Sequence, residues 1–305
     1  MSDLAPIVLF VYNRPEHTRR TLAALVADPL AIQSDLIVCA DGPKKPEHAN
    51  SVARARAIVR EAKGFKSVSF IEQEENLGLA PSIIAGVTKV CESHGRVIVL
   101  EDDLVVSPGF LSYMNRALDR YANDDKVMQI SGYMFPVARS EELPPTFFLK
   151  LSSTWGWATW RRAWSFFESD VEILIDRMKN VSAYEFDING SYPYMATLID
   201  QQRGLLDVWG IRWYASMFLR QGLCLHPAQS LVRNIGMDGS GEHCGPSNAF
   251  DVVLGPSTPN VFPDEIVASA LGEAKIFEFF RKPKRSVTQR VVSRLERILT
   301  RLTAS

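Results

Sequence analysis

The stretch that decides the fold reads Arg-Val-Ile-Val-Leu-Glu-Asp-Asp-Leu, from Arg96 to Leu104. Its apolar half is mostly β-branched, which is typical of a central strand in a parallel sheet that helices cover on both faces. Three carboxylates follow at once, namely Glu101, Asp102 and Asp103. They would lie at the C-terminal end of the strand, where open α/β sheets bind their ligands.

Three adjacent negative charges repel one another unless a cation neutralises them. Mg²⁺ and Mn²⁺ prefer oxygen ligands of this kind and accept a phosphate group in the same coordination shell. The triplet therefore indicates a divalent-cation site. An acidic loop or a helix start, with Asp102 or Asp103 as the cap, would explain the same residues.

The segments around this stretch predict an α/β fold. Before it, strand-like segments at 5–12, 36–40 and 67–71 alternate with helix-like segments at 16–27, 46–62 and 81–92. This alternation predicts a parallel sheet with right-handed crossovers. Further strands are expected at 127–131, 147–151 and 223–227, and further helices at 110–121, 192–202 and 209–221. We therefore expect a mostly parallel central sheet flanked by helices.

Composition places few limits on function. The 305 residues are 46% hydrophobic and 23% charged, with a formal net charge of −1, as in an ordinary soluble globular protein. The four cysteines form no C-x-x-C pair, so free thiols in a reducing compartment are expected. No secretory segment and no apolar run long enough to span a membrane is found. A cytoplasmic protein, at most peripheral to a membrane, is the expectation.

Polar side chains follow three of the predicted strands. Asn13 and Arg14 end the first strand, Asp41 ends the second, and the acidic triplet ends the fourth. In a parallel sheet these ends share one edge. An arginine beside a carboxylate-bound cation suits a diphosphate, and a lone carboxylate can accept a hydrogen bond from a base N–H. Asp41 could equally be a turn residue in Asp-Gly-Pro.

Four segments resemble nucleotide-sugar-dependent glycosyltransferases of the GT-A fold, including bacterial enzymes similar to family two. These are residues 7–15, 39–42, 76–78 and 99–108. The last is especially similar to the Glu-Asp-Asp motif of the N-acetylglucosaminyltransferase I family. Phe110, Trp155-Gly156-Trp157 and Trp164 extend the likeness, which covers about residues 5–250. It implies a GT-A (Rossmann-like) fold, a UDP-sugar donor and Mn²⁺ or Mg²⁺ as cofactor.

The resemblance also assigns roles to the residues at the strand ends. They are Arg14 for the nucleotide-diphosphate, Asp41 for the uracil ring, Glu101 for the donor sugar, Asp102 for the ribose and Asp103 for the metal. The metal would act as a Lewis acid for the leaving group. An inverting transfer also needs a base opposite that group. Asp207 resembles the family's base, although it could instead cap the helix predicted at 209–221.

Two tryptophans and a histidine are further candidates. Trp155 and Trp157 could stack on the donor sugar, and Gly156 between them would let the backbone approach a ligand. Packing in the core is the alternative for either ring. His243 follows a glycine-rich loop and is a candidate metal ligand or diphosphate contact, although a lone loop histidine is often merely exposed.

The predicted domain organisation has three parts. A catalytic domain spans residues 1–256, with a nucleotide-sugar-binding half (1–108) and an acceptor-side half (109–256). A linker follows at 257–283, and a basic amphipathic helix at 284–305. Residues 274–305 carry nine Lys/Arg against two Glu. This tail could bind an anionic membrane surface, or it could pack on a partner subunit in a homo-oligomer or on the catalytic domain.

The function that these features favour is a metal-dependent, inverting glycosyltransferase, moving a hexosyl or N-acetylhexosaminyl group. Its acceptor would be a glycan or a lipid-linked saccharide, in surface polysaccharide synthesis, and no nucleic-acid partner is expected. Two alternatives stay open. A nucleotidyltransferase would share the sheet and the metal site, but it should have a glycine-rich, basic loop after the first strand. A non-catalytic glycan-binding module could use the tryptophans.

Overall fold

Ten strands and ten α-helices are found in residues 3–239, 248–255 and 258–281, which the computed structural model describes. The strands are β1 (Ile7–Val11), β2 (Asp35–Ala40), β3 (Ser67–Glu72), β4 (Arg96–Glu101), β5 (Leu104–Val106), β6 (Val127–Ser131), β7 (Thr146–Leu149), β8 (Trp157–Trp160), β9 (Leu223–Pro227) and β10 (Val232–Asn234). The helices are α1 (Pro15–Val26), α2 (Ala49–Arg60), α3 (Leu79–His94), α4 (Phe110–Arg120), α5 (Arg161–Trp164), α6 (Val171–Met178), α7 (Ala183–Phe186), α8 (Tyr194–Gln202), α9 (Trp209–Leu219) and α10 (Ala270–Phe280).

Eight strands form one central sheet in the order β3-β2-β1-β4-β8-β6-β9-β7. β3, β2, β1 and β4 are parallel to one another, and β6 is parallel to β9. β8 is antiparallel to both β4 and β6, and β7 is antiparallel to β9. Six strands therefore run in one direction. The predicted α/β class, a mostly parallel sheet flanked by helices, is confirmed.

The strand register brings the predicted site residues to one edge of the sheet. β1 is buried along its whole length, as its apolar sequence predicts. It pairs with β2 up to Val11↔Ala40 and with β4 up to Phe10↔Glu101. The polar residues that follow these three strands are consequently neighbours.

A second, two-stranded sheet was not predicted from the sequence. After the acidic triplet the chain forms β5, which pairs antiparallel with β10 from Leu104↔Asn234 to Val106↔Val232. The backbone N–H of Ile235 then donates to the carbonyl of Asp103 at 2.8 Å. This pairing holds residues 234–239 beside the triplet.

The stretch predicted as a linker, 257–283, contains the helix α10. Ser269 caps the helix by accepting from the N–H of Gly272, and its own N–H donates to the carbonyl of Phe148 at 2.8 Å. Ile276 and Phe280 are buried in an apolar cluster that includes Phe147 and Leu149. This segment is thus a packed helix rather than only a connection. The predicted helix at 284–305 lies outside the described residues, and no helix in the described part is long and apolar enough to cross a membrane.

Candidate active site

A cleft of about 420 Å³ opens where β1, β2 and β4 end. Of the residues predicted for the site, Arg14, Asp41, Glu101, Asp102 and Asp207 all line it. Asp207 is separated from the triplet by more than one hundred residues, so the fold brings together what the sequence keeps apart. His243 lies outside the described residues.

Arg14 is held against the acidic triplet by two ion pairs. It stands just before α1, whose first residue is Pro15. Its Nη2 lies 2.8 Å from Oδ2 of Asp103 and 3.5 Å from Oδ1 of Asp102. The other terminal nitrogen, Nη1, is buried and has no hydrogen-bond partner among the described residues. Because a buried guanidinium N–H without a partner is costly, Nη1 is a candidate donor to an oxygen atom of an anionic ligand.

Burial and mutual repulsion make Glu101 and Asp102 difficult to ionise. Burial, reinforced by the charges of Asp103 and Asp102, raises the pKa of Glu101 to about 8. Burial also raises the pKa of Asp102 to about 7, although Arg14 and the N–H of Tyr12, 3.2 Å from Oδ2, favour its charged form. Burial would lower the pKa of Arg14, but the carboxylates outweigh it and raise that pKa. A cation bound beside Glu101 and Asp102 would favour their ionised forms.

This electrostatic arrangement predicts a pH-dependent stability. Glu101 keeps its proton in the folded state at pH values where the unfolded chain has lost it, so the free energy of unfolding falls as pH rises from about 4.5 to about 8. His226, whose pKa burial lowers to about 4, acts in the opposite sense only below about pH 6.5. Between pH 6.5 and 8.5, we expect the melting temperature of Glu101→Gln to fall about 2–4 °C less than that of the wild type.

Thermal unfolding followed by circular dichroism, with no added metal or nucleotide, would measure this difference. The matched control is Glu61→Gln, which removes an exposed carboxylate just after α2. Identical pH slopes for wild type, Glu101→Gln and Glu61→Gln would contradict the prediction.

The segment after β10 closes over Arg14 and Asp103, and sequence reasoning missed it. A Cβ atom on Gly236 would collide with Oδ2 of Asp103 and lie 2.6 Å from Nη1 of Arg14, so only glycine fits there. Nε2 of His17, on α1, lies 3.3 Å from the carbonyl of Ile235 and 3.2 Å from Oδ2 of Asp238. The glycines of this stretch were the available signal, because glycine often marks a close approach of backbone to a site.

Asp41 lines the cleft as predicted, but its carboxylate is already fully engaged. It accepts hydrogen bonds from the N–H groups of Gly42, Leu77 and Gly78 and from the amide of Asn76, all between 2.8 and 3.0 Å. Four donors fill the acceptor positions of a carboxylate. The prediction that Asp41 binds a uracil N–H therefore needs correction: the side chain fastens the 76–78 loop to the end of β2.

Three residues near Asp41 line the cleft and were not predicted: Tyr12, Lys44 and His48. The hydroxyl of Tyr12 lies 2.7 Å from Nδ1 of His48 and accepts from the N–H of Lys44 at 3.1 Å. The two rings meet edge to face at 5.9 Å. They form an aromatic wall at this end of the cleft. The first strand-like segment of the sequence includes Tyr12, whereas β1 ends at Val11 and leaves Tyr12 just beyond the strand end.

Asp207 is an exposed carboxylate held by one arginine. The side chain of Arg212, which is only 13% exposed, donates to Oδ1 of Asp207 at 2.9 Å. Burial lowers the pKa of Arg212, while Asp207 favours its charged form. Asp207 does not cap α9, because Val208 takes the cap position and no side-chain cap is formed. The alternative of a helix cap is therefore wrong.

The two tryptophans lie away from the cleft. Trp157 is fully buried and packs against the rings of Trp164, Trp209 and Trp213. A ring without an exposed face cannot stack on a sugar, so the prediction for Trp157 needs correction. Trp155 is half-buried and packs edge-on against Tyr133 at 4.7 Å, outside the lining of the cleft.

The protein offers few free ligands to a divalent cation at the acidic triplet. Among the described residues no group of three His, Cys, Asp or Glu side chains is placed to hold a metal ion. Oδ2 of Asp103 bonds to Arg14, and Oδ1 has no partner in the described part of the chain. One free carboxylate oxygen beside an unpartnered guanidinium N–H fits a cation only when a ligand such as a diphosphate supplies further oxygens. The residues thus fit a metal shared with substrate.

Comparison with known proteins shows the family of the chain. The sequence model of glycosyl transferase family 2 matches residues 7–167, which is more than half of the chain. No curated protein matches the chain. Among solved structures, the apo form of mouse xyloside xylosyltransferase 1 is similar, with 14% identity, a TM-score of 0.34, and coverage of 70% of this chain and 80% of that one. An overlap this loose carries no information on activity. On the sequence match, the chain belongs to glycosyl transferase family 2.

Proposed function

We propose that this glycosyltransferase moves a sugar from a UDP-sugar to an acceptor hydroxyl with inversion, and that it uses Mn²⁺ or Mg²⁺. The observation that carries the proposal is the cleft, where Arg14, two carboxylates of the triplet and Asp207 come together. The third carboxylate, Asp103, does not line the cleft but pairs with Arg14 at 2.8 Å. Arg14 with these carboxylates suits a diphosphate. Asp207 has no partner carboxylate, which suits a base.

The cleft contains residues that would bind each part of the UDP-sugar donor. The aromatic wall of Tyr12 and His48 would support the nucleobase, at the end that Asp41 shapes through the 76–78 loop. Asp102 would bind the ribose and Glu101 the transferred sugar. Nη1 of Arg14, which has no partner among the described residues, would donate to the diphosphate.

Asp103 would hold the metal through its free carboxylate oxygen, with diphosphate oxygens completing the shell. When bound, the cation supplies Lewis-acid stabilisation of the leaving UDP. Arg14 would share this work from the other side of Asp103, and its raised pKa keeps it charged throughout the physiological range.

The reaction needs one proton transfer by the protein. The acceptor oxygen forms a bond to the anomeric carbon while the bond from that carbon to the diphosphate oxygen breaks. The acceptor hydroxyl proton passes to a carboxylate oxygen of Asp207, and UDP leaves with the bonding electron pair. Arg212 holds Oδ1 of Asp207, which leaves Oδ2 to face the acceptor.

The acceptor is proposed to be a glycan or a lipid-linked saccharide of surface polysaccharide synthesis, with the enzyme on the inner face of a membrane. The support is the basic composition of residues 274–305, which favours an anionic surface. A vesicle-flotation assay with and without anionic lipid would test this part independently of the chemistry.

The decisive experiment is a panel of UDP-sugars incubated with the full chain and Mn²⁺, with release of UDP as the readout. We expect slow hydrolysis of one donor without acceptor, and faster release with glycan acceptors. A thermal shift with UDP and Mn²⁺ accompanies the panel, because a pure glycan-binding module should show none. Absence of both UDP release and a UDP-dependent shift would refute the proposal.

A further inference from the structure

A second cavity, of about 310 Å³, lies between the end of β7, α7, α9 and α10. It shares no lining residue with the cleft. Its floor is apolar, since Leu149, Leu151 and Ile276 are all buried there. Tyr214 of α9 completes the floor, and its hydroxyl is used internally, as a donor to the carbonyl of Phe186 at 3.0 Å.

The rim of this cavity is polar and exposed. Lys150 and Glu185 form a half-exposed ion pair at 3.5 Å, and Asn189 and Glu273 add an amide and a second carboxylate. An apolar floor under a ring of hydrogen-bonding groups suits a ligand with one C–H face and many hydroxyls. A pyranose ring has this character.

One aromatic ring stands at the rim with its surface largely open. Tyr184 is 63% exposed, although it is among the largest apolar side chains. A Cβ on Gly190 would lie 3.0 Å from Cε2 of Tyr184, so the ring rests against the backbone at this glycine. A ring held in this way loses little conformational freedom on binding, which favours stacking on a sugar.

The loop that carries Asn189 is held in an unfavourable backbone conformation. Ile188 has φ 51°, Asn189 has φ 50° and Gly190 has φ 73°. A left-handed conformation is unusual for a β-branched residue and is energetically unfavourable. The backbone is fastened by bonds from Gly190 N–H to the Tyr184 carbonyl and from Ser191 N–H to the Ile188 carbonyl. Backbone strain that persists in this way clusters at ligand sites.

Charge decides which ligands the cavity can take. Two carboxylates, Glu185 and Glu273, face one ammonium group, that of Lys150. The excess negative charge disfavours nucleotides, phosphates and acidic saccharides. Neutral sugars carry no charge that these carboxylates would repel, so they are compatible with the cavity.

We propose that this cavity binds a neutral pyranose unit of the glycan chain, away from the end that reacts in the cleft. Tyr184 stacks on the ring, and Asn189, Glu185 and Glu273 bind its hydroxyls. Because α9 begins two residues after Asp207 and contributes Tyr214 to the floor, one helix links the two sites. The role of the cavity as an acceptor subsite rests on the proposed function. The proposal that the cavity binds a neutral sugar does not depend on that function.

The test is a calorimetric titration of the full chain with four neutral tetrasaccharides: maltotetraose, cellotetraose, tetra-N-acetylchitotetraose and xylotetraose. A hyaluronan tetrasaccharide serves as the acidic probe. We expect at least one neutral tetrasaccharide to bind, and the acidic one not to bind. Tyr184→Ala should weaken binding about tenfold. Asn189→Gly, which suits the left-handed backbone and removes only the amide, should weaken it roughly two- to tenfold.

Phe166→Ala is the matched control, because this ring is 44% exposed and lines neither cavity. It should bind the tetrasaccharide like the wild type. Three results would overturn the proposal: no neutral tetrasaccharide binds, Tyr184→Ala binds like the wild type, or UDP with Mn²⁺ displaces the saccharide. The thermal shift with UDP and Mn²⁺ reports separately on the cleft. It should be unchanged in Tyr184→Ala. Its absence in the wild type, together with the absence of UDP release, would refute the proposed function without affecting the titration.

Discussion

Replacing Asp207 with asparagine is expected to lower transfer to a glycan acceptor by about 10²–10⁴-fold, the usual contribution of a positioned general base. Asparagine keeps an oxygen for the hydrogen bond from Arg212, but it cannot take the proton of the acceptor. Since Asp207 is exposed, with 63% of its side chain open, the change should not disturb the fold. Steady-state release of UDP with a saturating donor would measure the effect.

The binding of UDP with Mn²⁺ should be unaffected by this change, because the Arg14–Asp103 pair is untouched. Asp200→Asn is the matched control: this carboxylate lies on α8, 3.8 Å from Arg203, and does not line the cleft. Its turnover should match that of the wild type. Asp207→Asn with more than a tenth of wild-type turnover would exclude Asp207 as the base.

Arg212 holds Asp207 in place beside the cleft. Its guanidinium is buried and has Asp207 as an ion-pair partner, with one further bond to the carbonyl of Ser169 at 3.3 Å. The sequence contained a usable signal here, because the two residues are five positions apart around the start of a predicted helix. What the sequence could not show is that the arginine is buried while the aspartate is open to the cleft.

The strand ends were predictable because they follow from local pattern and topology alone. Four strand-like segments, separated by helix-like segments, predict a parallel sheet, and a parallel sheet places Arg14, Asp41 and Asp103 on one edge. The roles of these residues were less predictable. Asp41 receives three of its four hydrogen bonds from residues 76–78, more than thirty positions away.

The tryptophan segment shows why a local pattern can mislead. Three tryptophans in six residues suggested a ligand-binding surface, yet Trp157 begins β8, which inserts between β4 and β6. An inserted antiparallel strand is covered on both faces by elements from distant parts of the chain, and no local pattern records that burial. The helix α10 was overlooked for another reason. Its signals, Ser269 as a cap followed by an apolar run, were present in a stretch whose prolines favoured a linker.

Asp103→Asn is expected to abolish metal-dependent transfer, with a loss of at least about 10²–10³-fold. A cation bound to the diphosphate supplies several kcal/mol of stabilisation to the leaving group, and each 1.36 kcal/mol is tenfold in rate. Asparagine retains the oxygen that bonds to Arg14, so the arrangement around Nη2 is preserved. It removes the negative charge that would bind the metal. Transfer would be assayed by UDP release across a Mn²⁺ titration.

Chelation of the metal by EDTA tests the same metal dependence without a mutation. EDTA should stop transfer by the wild type and added Mn²⁺ should restore it, whereas Asp103→Asn should respond to neither. The matched control is Asp251→Asn, because Asp251 also forms an arginine pair, with Arg233 at 2.7 and 3.0 Å, but lies outside the cleft. It should retain its Mn²⁺ response. If Asp103→Asn still requires Mn²⁺ and is inhibited by EDTA, the metal is held elsewhere, and the role of the triplet is limited to positioning Arg14.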